Sequence, residues 1–449
     1  MLLVVAGLWG PTTVRSGEPL RVGAFALDVT PPVGTPLCDG LVRPVESIDD
    51  PLWAKGLVLA GSGKPIVVVA FDWVGIGNSG YDRFREAIAR AVGSDPDRVA
   101  VHALHQHDAP GLDFEADELA TARNLGRVIC DPLFARQTIE RVAAAARQAL
   151  DAAKPVTHVG VGKARIEQVA SARRVIGDDG KVKFTRTSAT KNAEARAMPE
   201  GTIDPFVQLL SFWNGDEPTA IVSYYATHPM SYYGAGRVSA DFIGLGREAF
   251  QKEVGVGTCI HFNGAGGNVT AGKYNDGDRA NRALLAERVR RGLSAAWKAT
   301  KKSPLSAADV AWSVEPVRLP LSERYRDEAP LIEKLDDEKL TPGARAQFAR
   351  HIVFARRMKA GHAIPIQLLR VGPARVLHMP GELFVEYQLA AQQMLPDAPV
   401  MTAAYGDYGP GYIGMSWSYP QGGYETGAVS RVAPEVEAVL MAAMRKLLK

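Results

Sequence analysis

Residues 98–111 read RVAVHALHQHDAPG and hold three of the chain's nine histidines, His102, His105 and His107. A short apolar run leads into them, and Pro110-Gly111 breaks the chain behind them. If the run is a strand, alternate side chains share a face, so His105 and His107 lie together and His102 opposite. Two neutral imidazoles on one side of a strand end supply half of a zinc site. Zinc takes such nitrogens at about 2.0–2.1 Å, and its catalytic sites keep one position open. A hydrogen-bonded surface cluster is the other reading of the same residues.

Four further stretches concentrate reactive residue types. In IVSYYATHPMSYY, His228 closes an apolar run and Pro229, which lacks a backbone donor, stops it; a purely structural histidine is the alternative to a ligand. TCIHFNGAGGNVTAGK empties an apolar run into a glycine-rich turn, where backbone N–H groups can approach an anion or oxyanion. It lacks the Walker lysine pattern, so no nucleotide site is read there. In LHMPGELFVEY, Glu382 follows a Pro-Gly turn and opens a helical pattern. A carboxylate there is also favoured by the helix N-terminus alone, by about 0.3–1 kcal/mol. GDYGPGYIGMSWSYPQGGYET carries four tyrosines in a glycine-rich loop; such rings bind ligands or simply pack.

All five stretches follow strand-like runs, and α/β sheets place their sites at strand ends. Strands are expected over 56–60, 65–76, the run up to 104, 156–164, 206–213, 219–226, 258–262 and 398–405, with a hairpin turned at Gly372-Pro373. Helical periodicity covers 81–93, 133–153, 245–254, 279–300, 328–360, 383–394 and the C-terminal stretch, while 165–204 is polar and reads as loop with short hairpins. The alternation predicts an α/β fold, a large mixed-sheet sandwich covered by helices with the site at strand ends. No repeat or linker is visible, which favours one catalytic domain over 21–449.

Composition narrows the partners. The 449 residues carry 52 basic and 49 acidic side chains, so no electrostatic case exists for nucleic acid or a membrane surface. Cys38, Cys130 and Cys259 are too few and scattered for a disulfide framework or a metal site, and are expected as buried thiols. Residues 1–20 begin MLLVVAGLWG, too short an apolar run to span a bilayer and without the basic start of a full secretion signal. The expectation is a residual signal segment of a secreted or periplasmic protein, with an unstructured leader on a cytoplasmic protein as the alternative. No other segment is long and apolar enough to cross a membrane.

Taken in order, the motifs resemble those of the neutral/alkaline ceramidases, zinc-dependent amidases that cleave N-acyl sphingosine. DVTPPVGTP at 28–36 and the following DPLWAKGLVLA resemble the opening of that family. LHQHDAPG resembles its THTHSGP motif, ATHPMS its second-histidine motif followed by SAD at 239–241, NGAGGNVT its GDVSP loop and MPGELF its glutamate motif. DYGPGYIGMSWSYPQGGYET resembles its terminal tyrosine segment. The resemblance implies zinc as cofactor, held by His105, His228, Glu382 and Tyr412, with His107 beside the metal as an acid or base. Tyr424 matches the family's second active-site tyrosine and would polarise the scissile carbonyl. Arg173, in SARRVIGDDGKV, would orient a small-molecule or lipid N-acyl substrate.

The chain departs from the family at Asp108, Asn268, Thr270 and Ala172, where the motifs carry serine, aspartate, serine and asparagine. It also ends one helix past the tyrosine loop, so no immunoglobulin-like C-terminal domain is expected. The implied reaction is metal-assisted hydrolysis of an amide. His107 would pass a proton to the leaving amine, and Tyr424 with backbone N–H groups near Gly266 and Gly267 would stabilise an oxyanion. Thr270 is expected to contact substrate, since no base adjoins it in sequence. Two other readings stand beside this one. An amidohydrolase-type barrel also uses HxH after a strand and would want Asp407 as a late ligand. A binding protein that kept the scaffold and lost the chemistry would account for the departures.

Overall fold

The computed structural model describes residues 19–449. All but the last two residues of the leader expected over 1–20 lie outside them.

Three mixed sheets are built to one plan. In the first, β1 (Arg21–Asp28), β2 (Trp53–Ala60) and β3 (Ile66–Phe71) run antiparallel in succession, helix α1 (Ser79–Val92) crosses over, and β4 (Val99–Ala103) returns parallel to β3. Helix α2 (Pro132–Asp151) follows, started by Asp131, whose side chain accepts from the N–H groups of Leu133 and Phe134. The second sheet repeats this order with β5 (His158–Arg165), β6 (Phe206–Asn214), β7 (Glu217–Tyr225), α3 (Asp241–Val254), β8 (Cys259–Asn263) and α4 (Ala280–Lys298). The third has β9 (Val310–Val317), an insertion bearing α5 (Pro342–Lys359), β10 (Ile364–Val371), β11 (Ala374–His378), α6 (Val385–Met394), β12 (Val400–Ala403) and α7 (Val436–Leu447). No repeat shows in the sequence because the plan is one of topology, and only apolar patterning survives in the residues.

The sheets share an inner core. Along β3, Ile66, Val68 and Ala70 join a cluster that includes Leu209, Phe262, Val376 and Met401 from the other two sheets. Val67, Val69 and Phe71 face the opposite way, onto Phe84, Ile88, Ile139 and Val142 of α1 and α2. A strand buried on both faces reads as a continuous apolar run, as IVVVAF does. The expected α/β arrangement of mixed sheets under helices is therefore what the chain adopts, with a single parallel pair in each sheet.

Several expected boundaries move. The run 65–76 is cut at Asp72, leaving Gly75–Ile76 to bridge Gly111–Leu112. The charged region 328–360 is two helices, Ala329–Asp336 and α5. Helix α3 starts at Asp241 rather than 245. Strand β9 was absent from the sequence reading, because VAWSVEPV lies half exposed and shows no clean alternation. Its described strands form open sheets, so the barrel alternative falls. The three cysteines are free and buried, as expected. No helix among the described residues is long and apolar enough to cross a membrane.

Where the sheets meet, histidines are buried neutral. His102 Nδ1 donates to Ala404 O (2.7 Å), and its Nε2 accepts from His378 Nδ1 (2.9 Å). Burial pushes His102 down to about 4 and His261 down to about 3, and holds His378 well below the ordinary range. These groups take up protons in the unfolded chain near its ordinary value of 6.5 but resist doing so when folded. Stability is thus fully present above that value and falls as pH drops toward the folded values. His102 alone contributes on the order of 3 kcal/mol to the loss. Denaturant titrations from pH 7 to pH 4 should show a falling midpoint, and His261→Asn should make the dependence shallower.

Candidate metal centre

The turn after β4 determines where the histidines go. The strand ends at Ala103, and His105 adopts φ 79°, a left-handed conformation that non-glycine residues rarely take. Its N–H donates to Trp73 O (2.9 Å), which fixes the turn to the end of β3. His102 points into the inter-sheet core, while His105 and His107 come together with their Nε2 atoms 3.2 Å apart. The pairing expected from strand alternation is therefore present, but a sharp turn makes it.

His228 follows β7 of the second sheet, and Glu382 follows β11 of the third. Glu382 does not cap a helix. It lies in a two-residue strand, Glu382–Leu383, paired in parallel with Tyr412–Ile413, so that Glu382 and Tyr412 are register partners. Glu382 Oε2 is 3.2 Å from both His105 Nε2 and His228 Nε2. Tyr412 Oη is 3.1 Å from His228 Nε2. Ligands about 2.0–2.1 Å from a tetrahedral zinc ion lie about 3.3–3.4 Å from one another, so these edges match such a polyhedron.

The tautomers support the same reading. His105 Nδ1 lies 2.7 Å from Val74 O, and His228 Nδ1 lies 2.6 Å from Gly266 O. A carbonyl accepts only, so each Nδ1 carries the proton and each Nε2 presents a lone pair to the carboxylate. Burial pushes His228 below its ordinary value. Buried acceptors facing one another are unfavourable without a cation between them. His105, His228 and Glu382 are thus a group that could hold a metal ion.

Arg173 borders the group. Its Nη1 donates to Tyr412 Oη (2.8 Å) and lies 3.3 Å from His228 Nε2. Burial raises the Tyr412 phenol well above its ordinary value, and Arg173 works against that. Arg173 is held in turn by Glu425, whose Oε1 is 3.1 Å from Arg173 Nε and whose Oε2 takes Arg174 Nη1 at 3.1 Å. Tyr424 stands edge-on to Tyr412 at 5.7 Å between ring centres and is half exposed. Burial first of all pushes its hydroxyl up to about 12. His107, pushed well below its ordinary value by burial, has a buried Nδ1 with no protein partner.

Other expected residues have different tasks. Thr270 is fully buried; its hydroxyl reaches Arg186 O (3.2 Å) and accepts from Gly272 N (3.1 Å). It does not join the group; its backbone pairs with Ser171 and thereby anchors the strand leading to Arg173. The Gly267 N–H expected near an oxyanion donates to Leu383 O (2.8 Å). Asp407 accepts from the N–H groups of Asn78 and Gly409, both at 2.9 Å, and is no ligand. Asp108 holds the Gly234 N–H (2.8 Å), and with it the loop that lays Tyr233 against His107 at 4.6 Å between ring centres. Asn268 accepts from Val385 N and donates to Glu386 Oε2, both at 2.8 Å, tying the glycine turn to the segment after Glu382.

No protein-family model matches this sequence, and no curated protein matches it either. Solved structures do match it, and two of them are ceramidases. A ceramidase complexed with C2 superposes with a TM-score of 0.69 at 17% identity, covering 96% of this chain and 75% of its own. Neutral ceramidase from Pseudomonas aeruginosa superposes with a TM-score of 0.68 at 16% identity, covering 96% of this chain and 74% of its own. The chain has the neutral ceramidase fold. Within that fold, the four ligand candidates, His107, Arg173 and Tyr424 stand together, and Thr270 stands apart.

Sequence reasoning missed Glu425, Tyr405 and Tyr233. Tyr405 stacks on His105 at 5.0 Å between ring centres. Only the proximity of Glu425 to Tyr424 in sequence could have pointed to it. The glycine turn is also sterically exacting: a Cβ at Gly267 would stand 2.2 Å from Glu382 O. Gly267→Ala should therefore lower stability by about 1–3 kcal/mol and displace Glu382. Thermal unfolding and metal content of that variant should both fall below wild type.

Proposed function

We propose that this protein is a zinc-dependent hydrolase that cleaves the amide bond of an N-acyl lipid or a related N-acyl amine. Residues 21–449 would act as one catalytic domain. The observation that carries the reading is the set of Nε2, Nε2 and carboxylate oxygen atoms at tetrahedral-edge distances, with Tyr412 Oη completing it. The ceramidase fold supports the amide as the bond and a lipid as the substrate class.

The donor set of two neutral imidazoles, one carboxylate and one phenol oxygen suits zinc. Zinc, when bound, supplies Lewis acidity and brings the ionisation of water toward neutral pH.

The chain's own residues supply the rest. His107 is kept neutral by burial, so its ring can take a proton and return it to a leaving amine. Its unpartnered Nδ1 leaves one nitrogen for that exchange. Tyr424 keeps its proton at neutral pH and can donate a hydrogen bond to the acyl oxygen. The guanidinium of Arg173, 5.0 Å from the Tyr424 ring, stays charged and favours negative charge developing there. Tyr233 and Tyr424, both half exposed, present apolar ring surface beside the group, as an acyl or sphingoid chain requires.

Elemental analysis of purified protein should find one zinc per chain, and N-acyl sphingoid amides should be hydrolysed in a panel of amides and esters. His105→Ala should lose the metal and the activity together. Tyr424→Phe should keep the metal and lose about 10²–10³ in kcat. Full metal content without hydrolysis across the panel would favour a binding protein on the same scaffold. An active His105→Ala variant would reject the metal assignment.

A further inference from the structure

The tyrosine loop contains a residue that the proposed chemistry leaves unused. Tyr408 is buried, and its hydroxyl donates to Glu382 Oε1 at 3.1 Å. That oxygen is not the one shared by the imidazoles, since both face Oε2. The two oxygens of Glu382 are thus divided between the histidines and Tyr408.

The ring that carries this hydroxyl is held on several sides. Its backbone N–H donates to Ile76 O at 3.0 Å. Gly75 leaves it room, since a Cβ there would come within 2.2 Å of the ring. The Arg350 guanidinium lies 4.9 Å from the ring centre and is ion-paired to buried Asp39. Asp407 locks the preceding turn by accepting from Asn78 and Gly409. With so little freedom in the ring, the hydroxyl has one place to point.

We propose that Tyr408 is a positioning residue that restrains Glu382 to a single coordinating oxygen, and so favours an ion of low coordination number with a position left for water. This rests on the metal centre assigned above. A carboxylate can bind a metal through one oxygen or both. While Oε1 accepts from Tyr408, the two-oxygen mode requires breaking a buried hydrogen bond. Zinc held by two imidazoles, the Tyr412 oxygen and a one-oxygen carboxylate keeps the low coordination number it prefers and still admits a water. Larger ions that favour more oxygen ligands, such as Mn²⁺, gain nothing from this restraint.

The test compares wild type with Tyr408→Phe, which removes the hydroxyl and keeps the ring. Affinities of metal-stripped protein for Zn²⁺ and for Mn²⁺ are measured by competition with a chelator, and the Co²⁺-substituted proteins are compared by visible absorption. Zinc affinity should fall about 10–100-fold. Manganese affinity should fall less, and the cobalt bands should weaken as the coordination number rises. Tyr419→Phe, in the same loop but bonded to Ser430 Oγ at 3.3 Å, should leave zinc affinity unchanged. Should Tyr408→Phe fail to unfold cooperatively, Gly75→Ala, which displaces the ring, serves in its place with the same expectation. Zinc affinity within twofold of wild type in the folded variant overturns the proposal. So does an equal loss of both metals with unaltered cobalt bands. Both outcomes leave the metal centre standing, whereas wild type that binds no zinc removes the centre and the proposal together.

Discussion

Three lone pairs directed at one buried point are the constraint around which this protein is organised. His105 and His228 are held with Nδ1 protonated by backbone carbonyls, so their Nε2 atoms can only accept. Glu382 adds a negative oxygen to the same point. In a medium of low dielectric such a set repels itself unless a cation joins it. Much of the surrounding structure holds these groups against that repulsion: Val74 and Gly266 orient the rings, and Tyr408 takes the far carboxylate oxygen. Glu425 secures Arg173, which secures Tyr412. Each outer partner fixes a direction rather than adding a ligand.

The repeated sheet plan explains how such groups meet. Each sheet contributes to the centre from the end of a strand, two of them from the same point of the plan. His105 follows the parallel strand of the first sheet, His228 the third strand of the second, and Glu382 the third strand of the third. Tyr412 is added by pairing directly beside Glu382. A site drawn from three sheets is rigid because moving any of these side chains means moving a packed sheet.

Three of the four residues at which the motifs depart from the ceramidase pattern hold structural contacts here. Asp108 secures the Tyr233 loop, Asn268 ties two loops together, and Thr270 anchors the strand before Arg173. None of them replaces a ligand. The departures therefore alter the walls and supports of the pocket and leave the donor set whole. At 17% identity the likeness to a solved ceramidase is one of fold, and this donor set carries the chemical argument.

By itself, the sequence determined the local features: which runs become strands, where proline and glycine stop them, and which reactive side chains stand at those ends. These depend on periodicity and turn chemistry within a few residues, so HALHQH, ATHPMS and MPGEL could be read directly. The order of the motifs extended that reading to the four ligand candidates. What the tertiary structure alone decided is how distant ends combine. His228 and Glu382 are separated by 154 residues, and Arg173 and Tyr412 by 239. Their contact depends on how whole sheets pack, which no local pattern encodes. The same holds for the roles of Thr270, Tyr408 and Glu425, since a hydroxyl or carboxylate acquires its task from the partner it faces. Thr270 faces backbone carbonyls and Tyr408 faces the Glu382 carboxylate. Only the packed structure distinguishes the two.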